Sequence, residues 1–143
     1  MKITENKENA ILLTWTSAEA TDVGAKRKIN EDSMLSRADV GLWVVADGMG
    51  GHAAGDVASQ AVVAALAQLK PNKDLADFVD AIEDKLLLVN QQLRRHGQDA
   101  LGGRTLGTTV ISLFFADTMG ACVWAGDSRA YLFREGELTS ISH

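Results

Sequence analysis

The sequence has a single cysteine, Cys122, and a single proline, Pro71. One cysteine can form no intrachain disulfide, which suits a reducing, cytoplasmic setting. No repeat, low-complexity stretch or proline-rich linker divides the 143 residues, so a single domain spanning residues 1–143 is expected. No apolar run is long enough to cross a bilayer, and the opening MKITENKENA lacks the basic-then-apolar pattern of a signal peptide. Positive charge is scarce too. The net charge is −5, and the one basic cluster is the short Lys26-Arg27-Lys28. That argues against nonspecific binding to nucleic acid, which needs clustered cations. A phosphorylated substrate stays possible, because a bound divalent cation reverses the local sign.

Hydrophobic residues make up 46% of the chain, enough to bury a core without disulfide or metal staples. Residues Met1–Ala10 are polar and expected to fray, and Ile11–Thr16 is rich in strand formers. Gly41–Ala46 is a continuous apolar run that ends sharply at Asp47-Gly48. Thr108–Ala116 and Ala121–Ala125 have the same character. Runs apolar at successive positions predict strands with both faces covered, and short turns between the later ones favour antiparallel pairing. Ala130–Phe133, a Glu135-Gly136 turn and Leu138–Ile141 read as a hairpin.

Two helices are predicted to supply part of the cover. Val57, Ala58, Ala61, Val62, Ala65, Leu66 and Leu69 form one seam of helical period, stopped at Lys70-Pro71-Asn72. Asp74 opens a second, with Leu75, Phe78, Val79, Ile82, Leu86, Val89 and Leu93 on one stripe. Gly97 is expected to end it, after Arg94, Arg95 and His96 complement the negative helix end. Strands, two helices, then strands make an α+β pattern.

Three polar clusters interrupt this framework. ADGMGGHAAGD (Ala46–Asp56) sets Asp47 straight after an apolar strand, where a carboxylate must be paired, hydrogen-bonded or metal-bound; it reads equally as an Asp-Gly turn into a helix. Arg27-Lys28-Ile29-Asn30-Glu31-Asp32 offers a guanidinium fork for phosphate and two hard oxygen ligands, or else a solvated charged loop. Gly126-Asp127-Ser128-Arg129 again follows an apolar strand, and by itself is a capped turn. Three acidic loops at strand ends, with no Cys or His cluster, point to magnesium or manganese over zinc. Cys122, inside an apolar strand, is read as an ordinary buried thiol.

In order, Gly24-x-x-Arg27-x-x-Asn30-Glu31-Asp32, Val45-Ala46-Asp47-Gly48-Met49-Gly50-Gly51-His52, Gly107-Thr108-Thr109 and Gly126-Asp127-Ser128-Arg129 resemble the metal-dependent protein phosphatase family, protein phosphatase 2C, in its bacterial form. The resemblance implies a β-sandwich of two antiparallel sheets flanked by helices. It also implies hydrolysis of phosphoserine and phosphothreonine in proteins, opposing a serine/threonine kinase. Two Mn²⁺ or Mg²⁺ ions would be bridged by Asp47 and bound by the Gly48 carbonyl. Glu31 would act through a water with Asp32 in support, Arg27 would bind the phosphate, and Asp127 would serve a third, weaker metal site.

The sequence departs from the family at two points. Met49 stands where some members carry a histidine as general acid, and His52 further along is read as a structural or rim residue. The family domain is also longer, and its later Asp-Gly and Asp-Asn metal ligands have no match up to His143. These residues are therefore expected to form the N-terminal part of a longer domain. Alone they should catalyse little or nothing, with open sheet edges that invite self-association. A non-catalytic phosphoprotein-binding module of the same fold is the alternative. A nucleotide-binding loop is disfavoured, since no Lys-Ser/Thr follows these glycines.

Overall fold

The computed structural model describes residues 14–25, 28–49, 54–99, 102, 105–116 and 118–143. Its framework begins with β1 (Asp32–Arg37) and β2 (Leu42–Met49), an antiparallel pair joined by a tight turn. At that turn Arg37 grips Asp39 through Nε and Nη2, at 2.7 and 2.6 Å, and this bonding holds the Asp39 carboxyl below its ordinary range. Two helices follow, α1 (Ala54–Leu66) and α2 (Leu75–Asp99). Then come the short β3 (Gly107–Thr108), β4 (Val110–Ala116), β5 (Met119–Ala125), and the hairpin β6 (Tyr131–Arg134) and β7 (Glu137–Ser140). The main antiparallel sheet runs β1-β2-β4-β5, with β3 paired to the far end of β2. The second sheet is β6-β7. This is the α+β arrangement of antiparallel sheets and helices expected above.

Strand alternation decides which residues meet the helices. In β2, Leu42, Val44, Ala46 and Gly48 are buried, while Trp43, Val45, Asp47 and Met49 point the other way. The buried set packs with Ala58, Val62 and Leu66 of α1, Phe78 and Ile82 of α2, and Val110 and Phe114 of β4. Phe78 and Phe114 meet edge to face, with centroids 5.2 Å apart. On the opposite face, Trp15 covers Trp43 and Phe115, at centroid separations of 5.7 and 4.8 Å. Val45 on that face is 43% exposed, so the doubly covered strand expected from its composition is covered fully on the helix side only.

Several local expectations are met for identifiable reasons. Asp74 caps α2, its Oδ1 accepting from the N–H groups of Ala76 (2.9 Å) and Asp77 (3.1 Å). The whole predicted α2 stripe is buried or half-buried. Glu135 and Gly136 both have positive φ, 54° and 85°, as a tight two-residue hairpin turn with the native strand twist requires.

Others need correction. Residues Met1–Ala10 and Ile11–Leu13 lie outside the described residues, and Thr14–Thr16 join no strand: Trp15 uses its ring, not its backbone, to anchor that segment. Helix α2 continues through Gly97 to Asp99, because Gly97 sits buried on the packed stripe and tertiary packing outweighs its weak helix propensity. Val57 is exposed, off the α1 seam. Strand β1 was not legible in its mixed sequence DSMLSR. Pairing with β2 recruits it as an edge. No helix among the described residues is long and apolar enough to cross a membrane.

Phe114, fully buried against Phe78, gives the first prediction. Phe114→Ala should lower the unfolding free energy in urea by about 3–5 kcal/mol. Leu87→Ala, at a position 61% exposed on α2, should change it by less than about 0.5 kcal/mol.

Candidate metal centre and its frame

The β1–β2 register sets Asp32 directly opposite Asp47. Both side chains leave the sheet on the face away from the helices, at the end of the ladder. Directly opposed residues on one face sit close together, and like charges there repel unless something compensates them. Glu31, just before β1, closes the ladder: its carbonyl accepts the Gly48 N–H at 3.1 Å. The loop before it is laced by Asn30, whose Oδ1 accepts the Asp32 N–H (3.0 Å) and whose Nδ2 donates to Thr21 Oγ1 (2.7 Å). Asp22 accepts the Gly24 N–H at 2.7 Å. A polar cavity of about 190 Å³ results, lined by the acids Asp22, Glu31, Asp32 and Asp47, by Asn30, and by Val23 and Ile29.

Asp47 is also held from its other side. Its carbonyl accepts the Thr109 N–H at 2.8 Å, and its N–H donates to Thr109 Oγ1 at 3.2 Å. Thr109 is buried between β3 and β4, and its hydroxyl lies 2.7 Å from that of Ser128. Gly126 makes this contact possible. It has φ +105°, and a Cβ there would lie 2.8 Å from Thr109 Cγ2. The Gly126-Asp127-Ser128 bend is thus tied to the Asp47 backbone through one threonine.

Of the residues singled out from sequence, Glu31, Asp32 and Asp47 line one cavity, with Gly48 beside them in β2. Asp127 is exposed in the bend after β5 and does not line that cavity. Lys26, Arg27, Gly50, Gly51 and His52 lie outside the described residues. Met49 is 57% exposed at the end of β2. Cys122 is half-buried in β5, and burial pushes its thiol pKa up, away from the thiolate a nucleophile needs.

Asp22 was missed, and Thr109 figured only as part of the Gly107-Thr108-Thr109 motif, with no role given to it. Asp22 two residues before Gly24 carries the signature of an Asx turn, which could have flagged it. Thr109 had no separate signal, because its role depends on strands distant in sequence.

The donor set fits a hard divalent cation. The described lining offers carboxylate oxygens and an amide, and neither thiol nor imidazole. Among the described residues, no three His, Cys, Asp or Glu side chains converge as a ready-made cage. An ion here would therefore complete its shell with water or further oxygen donors.

A sequence model of the protein phosphatase 2C family matches residues 24–143. The chain belongs to the protein phosphatase 2C family. That family is metal-dependent. The chain is 39% identical over 132 residues to the serine/threonine protein phosphatase PstP of Mycobacterium tuberculosis, covering 92% of this chain and 25% of PstP. Its fold is similar to that of PppA, a key regulatory component of the type VI secretion system in Pseudomonas aeruginosa, with TM-score 0.80 and 41% identity, over 85% of this chain and 52% of PppA. It is also similar to the catalytic domain of PstP in complex with two manganese ions, with TM-score 0.73 and 41% identity, over 83% of this chain and 51% of that one. The chain thus spans a quarter of the full PstP sequence and about half of the family domains whose structures it matches.

The Thr109 clamp gives the second prediction. Thr109→Val removes the hydroxyl that serves both Asp47 N–H and Ser128, and should cost about 1–3 kcal/mol in urea unfolding. Thr109→Ser should recover most of the loss. A valine variant as stable as the parent would contradict the clamp.

Proposed function

We propose that these residues form the N-terminal part of a cytoplasmic serine/threonine protein phosphatase, which removes phosphate from phosphoserine and phosphothreonine in opposition to a protein kinase. The reading is carried by the opposition of Asp32 and Asp47 across one strand pair, with Glu31 on the same cavity. Asp47 and the Gly48 carbonyl would hold Mn²⁺ or Mg²⁺, and Asp127 would serve a further, weaker site. When bound, such ions lower the pKa of water toward neutrality and offset charge on phosphoryl oxygens.

The chain's own residues would do the rest. Glu31 and Asp32 accept hydrogen bonds from water and orient it, and their negative charge favours cation entry. Arg27 presents a planar fork of donors to the phosphate oxygens. No side chain is required as a covalent nucleophile, which agrees with the raised thiol pKa of Cys122. The thioether of Met49 has no proton to donate, so the leaving alkoxide takes its proton from solvent or from a water held in the centre.

The alternative is a phosphoprotein-binding module of the same fold without turnover. Activity separates the two readings. The 143 residues alone should turn over an aryl phosphate little or not at all. The same residues joined to the remaining half of the family domain should hydrolyse it with Mn²⁺ or Mg²⁺, and EDTA should abolish that activity. Asp47→Asn in that protein should reduce the rate by about 100-fold or more. Full activity in excess chelator would defeat the phosphatase reading. Tight phosphopeptide binding in calorimetry without phosphate release would favour the module.

Exposed Phe133 and Leu138 on the β6–β7 hairpin, with edges of β1 and β5 that pair with no further strand among the described residues, support self-association of this chain. Sedimentation of the 143-residue chain should show dimers or larger species that dissociate on dilution. A monomer at all concentrations would refute this.

A further inference from the structure

Helix α1 touches the acidic loop at two points one turn apart, and neither is a carboxylate. The first is Gly55. A Cβ there would lie 2.7 Å from Cδ of Glu31 and 2.9 Å from the carbonyl carbon of Gly48, and nearer still to Glu31 Oε1. Conversely, a Cβ on Gly48 would overlap the Gly55 carbonyl and come within 2.7 Å of Glu31 O. The Gly48 backbone, the first turn of α1 and the Glu31 carboxylate therefore converge where no further atom fits.

The second point is Ser59, which is fully buried. Its hydroxyl donates to Glu31 O at 2.6 Å, the same oxygen that accepts the Gly48 N–H at 3.1 Å. Ser33 Oγ lies 3.0 Å from Ser59 Oγ; with the Ser59 proton spent on Glu31, Ser33 is the donor of that pair. Glu31 is thus fixed twice from one helix face, by its carbonyl on Ser59 and by its carboxylate against Gly55.

We propose that Gly55 and Ser59 are positioning residues for the acidic centre, together setting the spacing between the Glu31 carboxylate and the Gly48 carbonyl. The inference rests on the metal-centre reading above. It assigns α1 a role beyond covering the core: the helix's seating against β1 and β2 governs how well the centre takes a divalent cation.

The test uses the protein in which these residues are joined to the remaining half of the family domain, and compares it with its Gly55→Ala, Ser59→Ala and Ser33→Ala variants. It uses Mn²⁺ calorimetry, thermal unfolding, and hydrogen exchange at the Gly48 and Val44 amides. Gly55→Ala and Ser59→Ala should each weaken Mn²⁺ binding by about tenfold or more. Ser59→Ala should also speed exchange at Gly48 by about tenfold, leaving Val44 unchanged. Ser33→Ala, which spares the Ser59–Glu31 bond, should alter neither readout. Alanine is the better helix former, so Gly55→Ala that keeps its Tm while losing metal affinity marks positioning and not mere packing. If Gly55→Ala does not fold, Ser59→Ala decides.

A parent that binds Mn²⁺ with both variants binding equally well overturns the positioning role. A parent that binds no Mn²⁺ overturns the metal reading instead. Exchange at Gly48 then decides the positioning claim, and an unchanged rate in Ser59→Ala overturns it.

Discussion

The arrangement depends on the register between β1 and β2. A strand's side chains alternate between faces, so slipping β1 by one residue would send Asp32 toward the helices and bring Ser33 opposite Asp47. That slip is opposed on both faces. Leu35 packs beside Val44 on the helix side, and Met34 lies beside Val45 on the other. Ser33 must also reach Ser59, and Arg37 donates to the Ala67 carbonyl just past α1. The apolar and polar partners of β1 agree on one register, and the acids follow from it.

Negative charge concentrated at a sheet end costs folding energy, and hydrogen bonds to the surrounding backbone hold the acids in place against it. Asp47 is bracketed by β1 on one side and by Thr109 on the other, so its backbone has little freedom to swing away. Asn30 and Asp22 hold the preceding loop through hydrogen bonds to nearby backbone groups. In the function proposed above, a cation would meet donors already ordered by folding, so little ordering entropy would be spent at binding.

The two faces of the main sheet are finished unequally. The helix side is a closed core in which Leu42, Phe78, Ile82 and Phe114 are fully buried. On the other side the Trp15, Trp43 and Phe115 cluster gives way to a depression lined by Met34, Val45, Ile111 and Leu113. The acids emerge on this less covered face. A carboxylate there keeps contact with water and ions, which the helix-covered face would deny it.

Much of this was readable in one dimension. Helical periodicity gave α1 and α2, and the Asp74 cap and the Glu135-Gly136 turn followed from residue chemistry that acts over two or three positions. Glu31-Asp32 and Asp47-Gly48 read singly as a charged loop and a turn, and the acids were marked only by the order of four motifs that together resemble a known family. Other features came only with the tertiary structure. DSMLSR has no strand signature of its own and becomes β1 because β2 offers it a ladder. Gly97 looks like a helix end and is carried through by burial. Thr109, Gly55 and Ser59 matter for atoms that approach them from tens of residues away. Local chemistry acts through near neighbours and can be read from sequence, whereas register, burial and close approach are properties of pairs that only folding brings together.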